Sequence, residues 1–324
     1  MSFREIPGQE RQIEIIKNAI KNDRVPHAYL FIGEYGIGKR LTALTMAKAL
    51  NCSSKFDDSC DICRACRKID KGNHPDITVL EPKGTYVKIN QIRELQRSLQ
   101  YKPYEGRKRV CIIPDAEKLT LEAKNALLKT LEEPPSDTIL LLISASPHLL
   151  LSTINSRCQR LKFQPLTPNV IANVIKEKFK KDESTALKIA SLAGGSLKNA
   201  YEMVEKSTLE YRDRLIQKLN TLSFDNIDRI FEFAEELSKK KDELIRILDL
   251  LKMWFRDLLV FKEGFCVDRL KNQDFLKEIK WHEKRFATAD LLEKIRIIND
   301  AQSALLMNSN KRLTLEVMFL KLCQ

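Results

Sequence analysis

Gly33-Glu34-Tyr35-Gly36-Ile37-Gly38-Lys39 is the stretch that decides the fold. It fits G-x-x-x-x-G-K, with the apolar run His27 to Ile32 before it and the helical pattern Arg40 to Leu50 after it. In that setting backbone N–H groups and a helix N-terminus can cradle phosphate, with Lys39 reaching toward it. The chain has only ten glycines, and three of them are Gly33, Gly36 and Gly38. Such clustering marks a backbone that needs unusual dihedrals or a close approach to a ligand. Outward from the loop, strand and helix signals alternate. Ile77 to Leu80, Val110 to Ile113 and Ile139 to Ile143 read as strands. The stripe Ile89, Ile92, Leu95, Leu99 and the segment Thr120 to Glu132, stopped by Pro134-Pro135, read as helices. This rhythm predicts a parallel three-layer α/β domain.

The loop lacks part of what hydrolysis requires. Arg40 follows Lys39 where a Ser or Thr hydroxyl would hold Mg²⁺. The strand Val110 to Ile113 should end in a metal-binding Asp followed by a Glu, but the chain reads Pro114-Asp115-Ala116-Glu117. A shifted register could give Asp115 the metal role, yet the missing hydroxyl remains. The expectation is a phosphate-loop fold that hydrolyses no ATP on its own; ATP or ADP binding at Gly33, Gly36, Gly38, Lys39 and Arg40 stays open.

Four of the eight cysteines, Cys52, Cys60, Cys63 and Cys66, form C-x7-C-x2-C-x2-C. Two-residue gaps let thiolates converge on one ion, and four thiolates suit a closed, structural zinc site. An iron–sulfur cluster would need a further cysteine soon after, where Arg67, Lys68, Ile69 and Asp70 stand. Cys111, Cys266 and Cys323 are isolated among apolar residues and read as core thiols.

Beyond about Pro165 strand signals stop. Thr167 to Lys180, Ser184 to Ala193 and Leu197 to Glu205 read as short helices, with Gly194-Gly195 ending the middle one. From about Leu209 the pattern is helical, clearest in Leu244, Ile247, Leu248, Leu251, Trp254, Phe255, Leu258 and Leu259. The expected domains are residues 1–165, 166–207 and 208–324. A chain of 324 residues that is 43% hydrophobic has ample material for separate cores. The net charge of +12 is spread along the chain and suggests work beside an anionic polymer. Basic runs at Arg107-Lys108-Arg109, Lys178 with Lys180-Lys181, and Lys239-Lys240-Lys241 read first as solvated faces. No apolar run is long enough to cross a bilayer, and Met1-Ser2-Phe3-Arg4-Glu5 does not read as a signal peptide. A cytoplasmic protein with no membrane partner is expected.

These pieces together resemble the clamp-loader branch of the AAA+ ATPases. The match is carried by Gln9, Pro26 to Phe31, the loop Gly33 to Lys39, the four-Cys insertion and Asn125-Ala126-Leu127-Leu128-Lys129-Thr130-Leu131-Glu132-Glu133-Pro134-Pro135. It continues through Thr153-Ile154-Asn155-Ser156-Arg157-Cys158-Gln159, Gly195 to Ala200 and Trp254 to Leu259. The resemblance implies an AAA+ α/β core with a zinc-binding insertion, a helical lid and an all-α collar. It implies a heteropentamer with gamma/tau motor and delta subunits that loads a sliding clamp on primer–template DNA. Arg157 would then act as an arginine finger in a neighbour's ATP site, and Lys198 would stand where motors place a phosphate-sensing Arg. A lone Arg otherwise pairs with a local carboxylate, and Lys198 otherwise is a solvated residue at a helix start. Two other classes compete with a non-motor scaffold. One is a gamma/tau-type ATPase motor, set apart by Arg40 and Pro114. The other is a zinc-containing nucleic-acid-binding module, which would bind DNA tightly alone with steep salt dependence.

Overall fold

A computed structural model describes residues 1–54, 57–222, 224, 226–240, 243–307 and 309–323. Lys241, the end of one basic run, and Gln324 lie outside the described residues. Five short strands build one parallel sheet: β1 Ala28–Ile32, β2 Ile77–Val79, β3 Arg109–Ile113, β4 Thr138–Ser144 and β5 Gln159–Lys162. Their order is β2-β3-β4-β1-β5. β1 and β4 run side by side with Ala28 opposite Leu140 and Ile32 opposite Ser144. β4 is buried along its whole length, as a central parallel strand covered on both faces must be.

The period of two along each strand divides the apolar residues between two helical layers. Tyr29, Phe31, Val110, Ile112, Ile139 and Leu141 face one core, completed by α1 (Glu10–Lys21) and α2 (Lys39–Asn51). Ala28, Leu30, Cys111, Ile113, Leu140 and Leu142 face the other. There the cover is α4 (Ile89–Leu99), α5 (Leu121–Glu132) and α6 (Ser152–Arg157). The short α3 (Arg64–Asp70) follows the cysteines. From β1 the chain crosses to the β2 edge, returns through β3 and β4, and then passes to β5 on the far side. Strand order therefore switches between β1 and β4. A parallel sheet opens a ligand crevice at such a point, outside the carboxyl ends of its strands.

Asp76, just before β2, fixes a surface loop from within. Its fully buried carboxylate accepts the N–H groups of Tyr104, Glu105 and Gly106 at 2.6, 2.9 and 2.8 Å, and Arg109 lies 3.4 Å away. Burial raises its pKa, but those donors outweigh burial and hold it below the usual carboxylate value. A lowered folded value means stabilisation that is complete above the unfolded pKa and lost as pH falls through the folded one. Asp76→Ala is expected to cost about 3 kcal/mol in urea unfolding at neutral pH. The gap from wild type should shrink below about pH 4.

The remaining helices follow in order: α7 Pro168–Phe179, α8 Glu183–Leu192, α9 Leu197–Glu205, α10 Thr208–Thr221, α11 Ile227–Ser238, α12 Leu244–Lys262, α13 Leu276–Glu283, α14 Thr288–Leu306 and α15 Lys311–Cys323. Two compact units emerge: residues Met1–Val174 with Gly194–Asn199, and residues Ile175–Ala193 with Ala200–Gln324. The second unit is built on α12, whose Trp254, Leu251 and Leu258 are buried among residues of α11, α14 and α15. Trp254 and Phe255 are thus core residues and not a base-stacking platform. Buried Asp257 in the same helix accepts the N–H groups of Lys271 and Asn272.

Three features differ from the sequence reading. β5 was not foreseen, because only Leu161 of its four residues is buried. α3 and α6 are short helices between stronger signals. Cys266 is exposed and no core thiol, since neighbouring Phe265 and Val267 are exposed too.

Candidate phosphate seat and cysteine cluster

The loop after β1 sits at the switch point. Gly33, Gly36 and Gly38 have φ of 152°, 77° and 101°, left-handed values that favour glycine, and Gly33 N–H extends the pairing with β4 by donating to the Ser144 carbonyl at 3.2 Å. Gly38 then begins α2, and Thr42 N–H returns to the Gly38 carbonyl at 2.9 Å. Gln9, fully buried, locks the loop from beneath by donating to the carbonyls of Ile37 and Gln164 at 3.2 and 2.8 Å. Lys39 folds back over the loop and donates to the carbonyls of Gly33 and Glu34. Burial lowers its pKa, with Glu117, Glu34 and Asp115 pulling the other way.

Arg40 points away from this seat and pairs with Glu81 at 2.5 Å, both residues more than half exposed. The next hydroxyl along, Thr42 Oγ1, donates to the Gly38 carbonyl at 3.0 Å. Beyond β3, Pro114 is buried, while Asp115 has φ 53° and pairs with Lys118 at 2.9 Å. Glu117 is the residue beside the loop that sequence reasoning left without a role. Its Oε1 accepts the Tyr35 hydroxyl at 2.9 Å and the Ala145 N–H at 3.2 Å. The spacing Pro114-x-x-Glu117 gave no motif by which to find it.

The segment before α9 closes on the tip of the loop. Leu197 N–H donates to the Gly36 carbonyl at 3.0 Å, and Lys198 N–H approaches the same oxygen at 3.4 Å. Lys198 thus lies against the loop. Arg157, the last residue of α6, lies beside the end of α5. Its Nη2 is 2.8 Å from Glu132, and its Nη1 donates to the Thr153 carbonyl at 3.2 Å. The guanidinium remains about one-third exposed.

Cys52 caps α2, Cys63 caps α3, and Cys66 lies in the first turn of α3. The four sulfurs of Cys52, Cys60, Cys63 and Cys66 all lie within 4.8 Å of one another. Tetrahedral zinc with bonds near 2.3 Å would set sulfurs about 3.8 Å apart, so small adjustments suffice. Cys60 Sγ accepts Cys63 N–H at 3.3 Å, and Cys63 Sγ accepts Cys66 N–H at 3.4 Å. Burial pushes the Cys63 thiol up, but the N–H groups of Cys66 and Ser53 more than offset it and bring it to about 6. Four cysteines in this arrangement can hold a metal ion.

The basic runs are largely engaged locally. Lys108 pairs with Asp137 at 2.8 Å, Arg109 turns in to Asp76, Lys178 lies over the Tyr201 ring, and Lys239 pairs with Glu235 at 3.0 Å.

A family profile described as "DNA polymerase III, delta subunit" matches residues 8–167, and "DNA polymerase III, delta subunit, C terminal" matches residues 206–324. The DNA polymerase III subunit delta' of Bacillus subtilis is 34% identical over 97% of this chain and 96% of its own length. The chain belongs to the DNA polymerase III delta-prime family of clamp-loader subunits. The same organism's DNA polymerase III subunit tau is 29% identical over 99% of this chain, which spans only 61% of that longer protein. A gamma subunit-related protein of Thermotoga maritima shares the fold, with a TM-score of 0.50 at 22% identity over 95% of this chain and 97% of its own. For this delta-prime family member the AAA+ core and helical C-terminal region expected from sequence are present. Among the described residues no helix is long and apolar enough to cross a membrane.

Proposed function

We propose that this chain is a largely non-hydrolysing scaffold of a DNA polymerase III clamp loader. Gamma/tau and delta subunits are its partners, in a cytoplasmic complex that places a sliding clamp on primer–template DNA. The names of its relatives support those partners. In this reading residues 1–165 form the AAA+ core, 166–207 the lid and 208–324 the collar that assembles with neighbours. Zinc at Cys52, Cys60, Cys63 and Cys66 is structural, since four thiolates leave no open position for substrate. Arg157 serves a neighbouring motor subunit in trans, where a guanidinium stabilises charge on the transferred phosphoryl group. Lys198 keeps a charge at the loop tip but lacks the two-pronged geometry of Arg.

One observation carries the non-hydrolysing part. The position after Lys39, where a hydroxyl would hold Mg²⁺, carries Arg40 facing Glu81, and the next hydroxyl along, Thr42, is fully buried. The isolated chain is expected to release phosphate from Mg–ATP no faster than a Lys39→Ala control. Turnover above that control would make the chain a motor of the gamma/tau kind.

A further inference from the structure

Glu117 is a carboxylate bonded to the phosphate loop at Tyr35. Through Oε1 it joins Tyr35 of the phosphate loop to Ala145, the residue after β4, at 2.9 and 3.2 Å. One side chain therefore ties together the carboxyl ends of β1, β3 and β4, the walls of the crevice. Its Oε2 is buried and accepts no hydrogen bond among the described residues. A buried, unpaired carboxylate oxygen is costly unless a cation lies close by. Burial lowers the Lys39 pKa; Glu117 makes no direct ion pair with Lys39 but acts on it from a distance, raising that pKa against the lowering by burial. Lys39 is engaged on the loop's own carbonyls, and the Gly36 carbonyl on Leu197 N–H. Burial, with Glu117 next, raises the Tyr35 pKa and keeps its phenol a proton donor at neutral pH.

We propose that Glu117 is an internal anion at the phosphate loop, bracing the loop through Tyr35 and Ala145 and excluding nucleotide by its charge. An arriving polyphosphate would meet a fixed negative charge at close range. With no hydroxyl to help anchor Mg²⁺, that repulsion is not relieved. This inference rests on the non-hydrolysing reading above but needs neither the partners nor Arg157.

The test is titration of the full chain with a fluorescent ADP, with and without Mg²⁺. Wild type is expected to show no saturable binding up to about 1 mM. Glu117→Gln keeps an acceptor for Tyr35 and Ala145 while removing the charge, and should bind at least tenfold more tightly without hydrolysing ATP. Tyr35→Phe, at a half-exposed side chain that folding tolerates, should give a smaller gain in the same direction. Micromolar binding by wild type, or no gain in either variant, overturns the proposal. Micromolar binding without turnover by wild type overturns this inference alone, whereas Mg²⁺-dependent turnover by wild type overturns the non-hydrolysing reading.

Discussion

Cys66→Ser is expected to strip the metal and lower the melting temperature of the α/β unit by about 10 °C. The size follows from what the cluster holds. Cys52 continues directly from the last turn of α2, the helix that starts at the phosphate loop. Asp61, inside the knuckle, pairs with Lys48 of the same helix at 2.6 Å, and the buried Lys48 also pairs with Asp70 of α3 at 3.0 Å. Opening the cluster therefore releases one end of α2 and exposes a lysine that had two carboxylates. Loss of such a site costs roughly 3–5 kcal/mol, and a domain of this size shifts about 2–4 °C per kcal/mol. Calorimetry alongside metal analysis reads both effects, and chelation of wild type should reproduce them. Native protein with less than one zinc per chain, melting at the same temperature as the variant, would falsify the assignment.

Arg157→Ala carries the second large effect. If Arg157 serves a neighbouring ATP site as proposed, hydrolysis at that site is expected to fall about 10³-fold, the range in which arginine fingers act. The residue it leaves behind is lightly held. A half-exposed ion pair with Glu132 contributes about 0–1 kcal/mol, so leaving that contact for a phosphoryl group costs little and losing it should not disturb the fold. The measurement is DNA- and clamp-stimulated ATPase of the reconstituted complex, with assembly followed by size-exclusion chromatography. An intact complex with an unchanged rate would return Arg157 to a local role beside Glu132.

How far the sequence speaks depends on whether a residue's work is local. The phosphate loop was legible as a motif of fixed spacing between strand and helix, β4 as an unbroken apolar run, and α12 because its apolar stripe repeats at the helical period. The cysteines were legible because two-residue gaps bring thiolates together within a single turn. β5 was not: Gln159, Arg160 and Lys162 are exposed on an edge strand, and its pairing to β1 comes from across the chain. Asp76 and Glu117 were missed for a related reason. Each acts on backbone about 28 residues away in sequence, and no local pattern announces such a partner. Arg157 is a third kind: its sequence context points to a neighbour's site, while its own chain gives it Glu132.

Gly36 has a consequence for how such loops are read in related chains. A methyl group there would fall 2.1 Å from the Ser196 hydroxyl and 2.7 Å from Lys198, at a φ of 77° that side chains rarely adopt. Substitution would thus be penalised by folding alone, even in a lineage that never met a nucleotide. Gly36 is then held in place by architecture, and its presence by itself says nothing about whether the pocket is still used.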